Sequence, residues 1–178
     1  MKKCHGLNIL IIKKYMWWDN ISSIDLKILP NLIKEAKKSD RKRIMYCLHN
    51  SVDSMLHTMV NVIYKDSYIC PHKHLVDDGC QVIKKWESYL ILDWKGKLLF
   101  FDDNWIIEKV IDIDANKWSM VLVPEGVWHS IISISEYIVI FENKTWPWEE
   151  WKDKVFHDKF PLEGEDWVNK VLGEWYSI

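Results

Sequence analysis

Pro71-His72-Lys73-His74 is the stretch whose reading decides the fold of this chain. Alternate residues of an extended strand leave the same face, so His72 and His74 can aim at one point. Pro124-Glu125-Gly126-Val127-Trp128-His129 offers a third imidazole from a second strand, behind its own turn. A lone His-x-His is most often two exposed strand residues. With His129 and its turn, a shared metal ion becomes the better explanation. Imidazole suits zinc, iron, nickel and copper. The expectation is a metal held inside a β-barrel.

Working outward, short strands are expected over 44–49, 56–64 and 68–74, with 75–84 reading as a loop around Asp77-Asp78-Gly79. Residues 86–93 and 97–101 read as a hairpin about Trp94-Lys95-Gly96, followed by strands over 105–113, 118–123, 128–133 and 137–142. Many short strands at regular spacing with polar turns indicate a sandwich or barrel. A strand over 7–12 and a helix from Pro30 to about Lys38 precede them, with Ser22-Ser23-Ile24-Asp25 placed to cap a helical turn. Two short Trp-rich helices, over 147–155 and 163–172, follow. The organisation is one domain: an N-terminal extension over 1–40, a barrel over 41–145 and a helical extension over 146–178.

Composition bounds the function. The 178 residues carry a formal charge of -2, with no basic stripe, so nucleic acid is not an expected partner. No apolar run is long enough to span a membrane. Cys4, Cys47, Cys70 and Cys80 form neither a CxxC pair nor a disulfide pattern, which points to a reducing, cytoplasmic setting. Most of the 12 tryptophans are expected to fill the core and cover the barrel ends.

The two motifs together resemble the cupin superfamily, whose first motif holds His-x-His and a Glu and whose second reads Pro-x-Gly-x-x-His. A closer resemblance is to the WbuC family of cupin fold metalloproteins. Tyr68-Ile69-Cys70-Pro71-His72-Lys73-His74, Lys85-Trp86-Glu87, and Glu142-Asn143-Lys144 with Trp146-Pro147 carry it. It covers about residues 30–163. The resemblance implies an all-β cupin double-stranded β-helix barrel, jelly-roll-like, with a short N-terminal helix and short C-terminal helices. It implies His72, His74, Glu87 and His129 as ligands of a divalent ion: Zn, Fe(II), Mn or Ni. Twelve residues separate His74 from Glu87, more than cupins usually have, and Asp78 is a rival carboxylate in the surplus. Glu87 is preferred because it opens an apolar strand. The family tends to have Asn near 47 and Gln near 57, where this chain has Cys47 and His57.

Around the metal, His49, His57 and Tyr68 are the acid-base candidates, since imidazole titrates near ~6.5 and Tyr68 shares strand parity with His72 and His74. Each also has an ordinary alternative as a hydrogen-bonded core residue. Arg43, Lys85 and Lys144 are the candidate anion binders. The expected ligand is a small anionic molecule, by resemblance a sugar or nucleotide-sugar of surface-glycan biosynthesis, handled by isomerisation or epimerisation. An Fe(II) dioxygenase and a non-catalytic ligand-binding module are the alternatives. Cupins commonly assemble through exposed strands, so a homodimer is expected.

Overall fold

A computed structural model describes residues 23–77, 82–145 and 153–178. The elements run α1 (Leu29–Lys38), β1 (Arg43–Cys47), β2 (Leu56–Tyr64), β3 (His72–Asp77), β4 (Val82–Lys84) and β5 (Glu87–Phe101). They continue with β6 (Ile107–Asp114), β7 (Met120–Val123), β8 (Trp128–Thr145), β9 (Lys154–Phe156) and α2 (Val168–Tyr176). The strand pairings are antiparallel.

The long strands β5 and β8 organise the sheet, because they pair along most of their lengths. At one end they are flanked by β2 and β7, and β2 in turn carries β1. At the other end they are flanked by β3 and β6, with β9 on β3. The ladder shifts register between Ile91 and Asp93 and again between Trp94 and Gly96, so the sheet curls there. Curling turns the inner faces of the two ends toward each other. Ile63 of β2, Ile91 and Leu98 of β5, Ile113 of β6 and Ile131 and Ile138 of β8 meet in one buried cluster.

The expected hairpin about Trp94-Lys95-Gly96 is instead a bend inside one continuous strand. Trp94 takes φ 63 at this bend. A Cβ on Gly96 would lie 2.5 Å from Ile132 O, so glycine is required there for close strand approach rather than for a turn. Residues 128–133 and 137–142 likewise belong to the single strand β8. Of the expected loop 75–84, the described residues are paired antiparallel strands, with Leu75 opposite Lys84 and Asp77 opposite Val82. Residues 154–156 are strand rather than helix, since they pair the main chain of His72, Lys73 and His74. The expected strand over 7–12 and the helix portion over 147–152 lie outside the described residues.

The helices cover outer faces of the sheet. Asp25 accepts a hydrogen bond from Lys27 N at 2.9 Å and caps a 3₁₀ turn, and Pro30 stands in the first turn of α1. Leu32 and Ala36 then bury against Val60, Val62 and Val139. The last helix begins at Val168, and its Val171, Leu172 and Trp175 bury against Leu99, Phe101 and Ile132. Each of the buried leucines and valines adds about 1.5–3 kcal/mol of burial. Among the described residues no helix is long and apolar enough to cross a membrane. Cys47 and Cys70 carry thiols, and Cys4 and Cys80 lie outside the described residues.

Candidate metal centre

The antiparallel register places His72 of β3 directly opposite His129 at the start of β8. The strand period puts His74 on the same face, and Glu87 enters as the first residue of β5. One ligand atom from each of these four buried residues lies within 4.8 Å of every other. The turn before His129 has Gly126 at φ 69, a conformation glycine adopts without a Cβ penalty.

The hydrogen bonds decide which ring nitrogens face inward. His72 Nδ1 lies 2.9 Å from Cys70 O, His74 Nδ1 3.0 Å from Asp153 O, and His129 Nδ1 2.9 Å from Val127 O. A carbonyl only accepts, so each Nδ1 carries the proton and each Nε2 is left with a bare lone pair. Two of those lone pairs meet a carboxylate. His74 Nε2 lies 2.9 Å from Glu87 Oε1, and His129 Nε2 3.0 Å from Glu87 Oε2. Lone pair against lone pair is repulsive without a cation between them. His74 Nε2 is buried with no hydrogen-bond partner. The cluster is therefore compatible with a divalent metal ion, held by three imidazoles and one carboxylate.

Neighbouring groups orient the carboxylate. Tyr89 donates to Glu87 Oε2 at 2.6 Å. Beside it, burial and then the Glu87 charge push Glu142 up to about 8, and Asn61 donates to Glu142 at 2.7 Å.

The hairpin β3–β4 explains the long spacing between His74 and Glu87. Its two strands pair antiparallel, and Lys85 N meets His74 O at 3.4 Å. Glu87 thus comes back beside His74 despite the surplus residues. Asp78, the rival carboxylate, lies outside the described residues.

Lys85 and Lys144 are both buried and share one carboxylate. Lys85 Nζ meets Asp153 Oδ1, and Lys144 Nζ lies 2.6 Å from Asp153 Oδ2. Burial pushes the Asp153 carboxyl up, but His74, Lys144 and Lys85 outweigh it and hold it far below its usual range. These two lysines are internal, not cations at the barrel mouth. Asp153 and Lys154 were not expected from the sequence, because Lys154 opens β9 and Asp153 directly precedes it, where the chain reads as helix. Tyr89 was missed as well, although its inward parity with Glu87 was available.

The other expected residues sit elsewhere. His57 faces inward beside Lys144 in register, its Nε2 donates to Val52 O at 2.9 Å, and its ring stacks on His49 at 4.3 Å. Burial, then His49, lowers the His57 pKa to about 4. Tyr68 does not join the cavity. Residues 67–71 are not strand, so the two-residue period fails there, and the Tyr68 hydroxyl donates to Pro161 O at 2.9 Å beneath Trp175. Cys70 lies in the same outer cluster. Arg43 donates to Ser67 Oγ at 3.1 Å and Tyr68 O at 2.8 Å and pairs with Glu163, so its charge is engaged on the outer side.

The sequence matches the family described as Domain of unknown function (DUF6016) over residues 24–113. No curated protein matches it. Among solved structures, the chain is similar to the capsular polysaccharide assembling protein CapF from Staphylococcus aureus. Identity there is 20% and the TM-score 0.51, over 66% of this chain and 32% of that one. The chain thus spans about a third of the length of CapF. A Klebsiella pneumoniae protein with a double-stranded β-helix domain is 12% identical with TM-score 0.49, covering 71% of this chain and 95% of that one. A cupin superfamily protein from Desulfitobacterium hafniense is 14% identical with TM-score 0.44, covering 58% and 76%. The fold is mostly β, a curled antiparallel sheet with few short helices like that of CapF, in keeping with the double-stranded β-helix barrel expected from the motifs.

Proposed function

The chain belongs to the DUF6016 family, and from that premise we propose that it is a divalent-metal cupin that binds a small anionic sugar derivative and moves a proton on it. One observation carries the metal reading. Three imidazoles have their Nδ1 locked by carbonyls, and their bare Nε2 atoms converge with Glu87 within 4.8 Å. The ion is Zn, Fe(II), Mn or Ni. When bound, it supplies Lewis-acid polarisation of a ligand oxygen.

This chain's own residues do the rest. Tyr89 fixes the carboxylate of Glu87. His57, neutral near pH 7, is the proton acceptor, with Nε2 tied to Val52 and Nδ1 left to act. His49 stacks against it and holds its ring plane. The order of motifs that resembles the WbuC family, and the likeness to a capsular polysaccharide assembling protein, support a surface-glycan setting. The reaction class that fits is isomerisation or epimerisation next to a carbonyl.

Elemental analysis of the purified chain tests the metal. About one divalent ion per chain is expected, and its loss in His72→Ala. Metal content indifferent to that substitution would sink the reading. Incubation of the metal-replete protein with nucleotide-sugars in deuterium oxide tests the chemistry. Deuterium is expected at the carbon beside the carbonyl, and to vanish with His57→Ala.

A further inference from the structure

We propose that Lys154 is the anion-binding residue of this site, and that its ligand bears a dianionic oxygen group, a phosphate or a pair of carboxylates. The inference rests on the metal reading above and names the ligand class for it.

The placement comes from register. Lys154 stands directly opposite His74 across the β3–β9 ladder, and cross-strand partners project to the same side. The charges of Lys144, Glu87, Glu142 and Asp153 all act on its ammonium. Unlike Lys85 and Lys144, it has no carboxylate within ion-pair distance among the described residues. It is half-buried, so it borders the closed cluster and remains reachable from outside.

Charge bookkeeping then fixes the ligand. Among the described residues, three ammonium groups and, when bound, a divalent ion would face the carboxylates of Asp153, Glu87 and Glu142. Even with all three carboxylates ionised, two positive charges are left over. Partly buried charge without a counterion is unfavourable, so the cavity favours a ligand that brings about two negative charges. Lys85 and Lys144 share the Asp153 carboxylate, which leaves Lys154 to meet that ligand. A neutral sugar alone would leave the excess in place.

Calorimetric titration of the full-length, metal-replete protein tests this, with inorganic phosphate, malonate and glucose as probes. Phosphate or malonate is expected to bind and glucose not to, the better dianion distinguishing the two sources of charge. Lys154→Gln should weaken the dianion at least tenfold at unchanged metal content, and Lys154→Arg should restore most of it. Lys73→Gln, whose ammonium lies 4.2 Å above the Trp128 ring, should bind as the parent does. If Lys154→Gln does not fold, lysine acylation of the parent read by mass spectrometry replaces it: phosphate or malonate should protect Lys154 and not Lys73. Equal affinity in Lys154→Gln, no protection of Lys154, or no dianion binding by metal-replete protein overturns the inference. Absence of metal in the parent is a separate failure, read in the metal assay, that removes the charge excess and the inference with it.

Discussion

The main-chain oxygen of Asp153 accepts the Nδ1 proton of His74 at 3.0 Å. One residue of a short edge segment thereby sets the tautomer of a metal-cluster histidine. Its side chain has a different task, as the counterion of Lys85 and Lys144. Asp153→Ala keeps the main-chain bond and strands two buried ammonium groups. Leaving buried charge unpaired costs about 3–5 kcal/mol. Chemical denaturation should show a loss of that order, with His74 still able to present Nε2.

Removing the metal should loosen the barrel where three strands meet. An ion that binds only the folded chain adds about 2.7 kcal/mol at a hundredfold excess over its Kd. Chelation should lower the melting temperature of the parent and leave that of Glu87→Gln nearly unmoved. An equal drop in both would show that the ion stabilises from another place.

Gly96→Ala should destabilise by about 1–3 kcal/mol, the range for overpacking. Its Cβ would come to 2.5 Å from Ile132 O and 2.8 Å from Ile138 Cδ1. The first of these atoms is backbone and cannot rotate away. Urea unfolding at neutral pH measures the effect, and a neutral result would mean the strands can separate at the bend.

Acid should act through His57. Its folded pKa is about 4 against an ordinary 6.5, so between those values the unfolded chain binds more protons. Stability from this group is complete above pH 6.5 and is lost as pH falls toward 4. His57→Gln removes it. The drop in melting temperature from pH 7 to pH 4.5 should be smaller in the variant, and an identical drop would rule His57 out as the cause.

The cluster was legible in the sequence because it obeys local rules. His72 and His74 follow the strand period, and His129 follows a turn that announces itself through Pro124 and Gly126. Glu87 was legible as the start of an apolar strand. The bend at Trp94 was not, because Trp-Lys-Gly is good turn chemistry and only the cross-strand approach of Ile132 shows why the strand continues. Tyr68 failed for a related reason: parity holds only where the chain is strand, and residues 67–71 are not. Asp153 and Lys154 were illegible because nothing near them in the chain signals pairing with β3. Lys85 and Lys144 could be marked as anion binders by type, but a counterion 68 residues from Lys85 is visible only in three dimensions.

β8 carries His129 near its beginning and Lys144 near its end, opposite His72 and Glu87 respectively. A shift of the whole strand by one residue would point both side chains away from the interior, because strand faces alternate. The ligand cage and the charged pocket are therefore assembled or forfeited together. Misthreaded chains should keep neither, and a fraction of inactive protein should be metal-free as well.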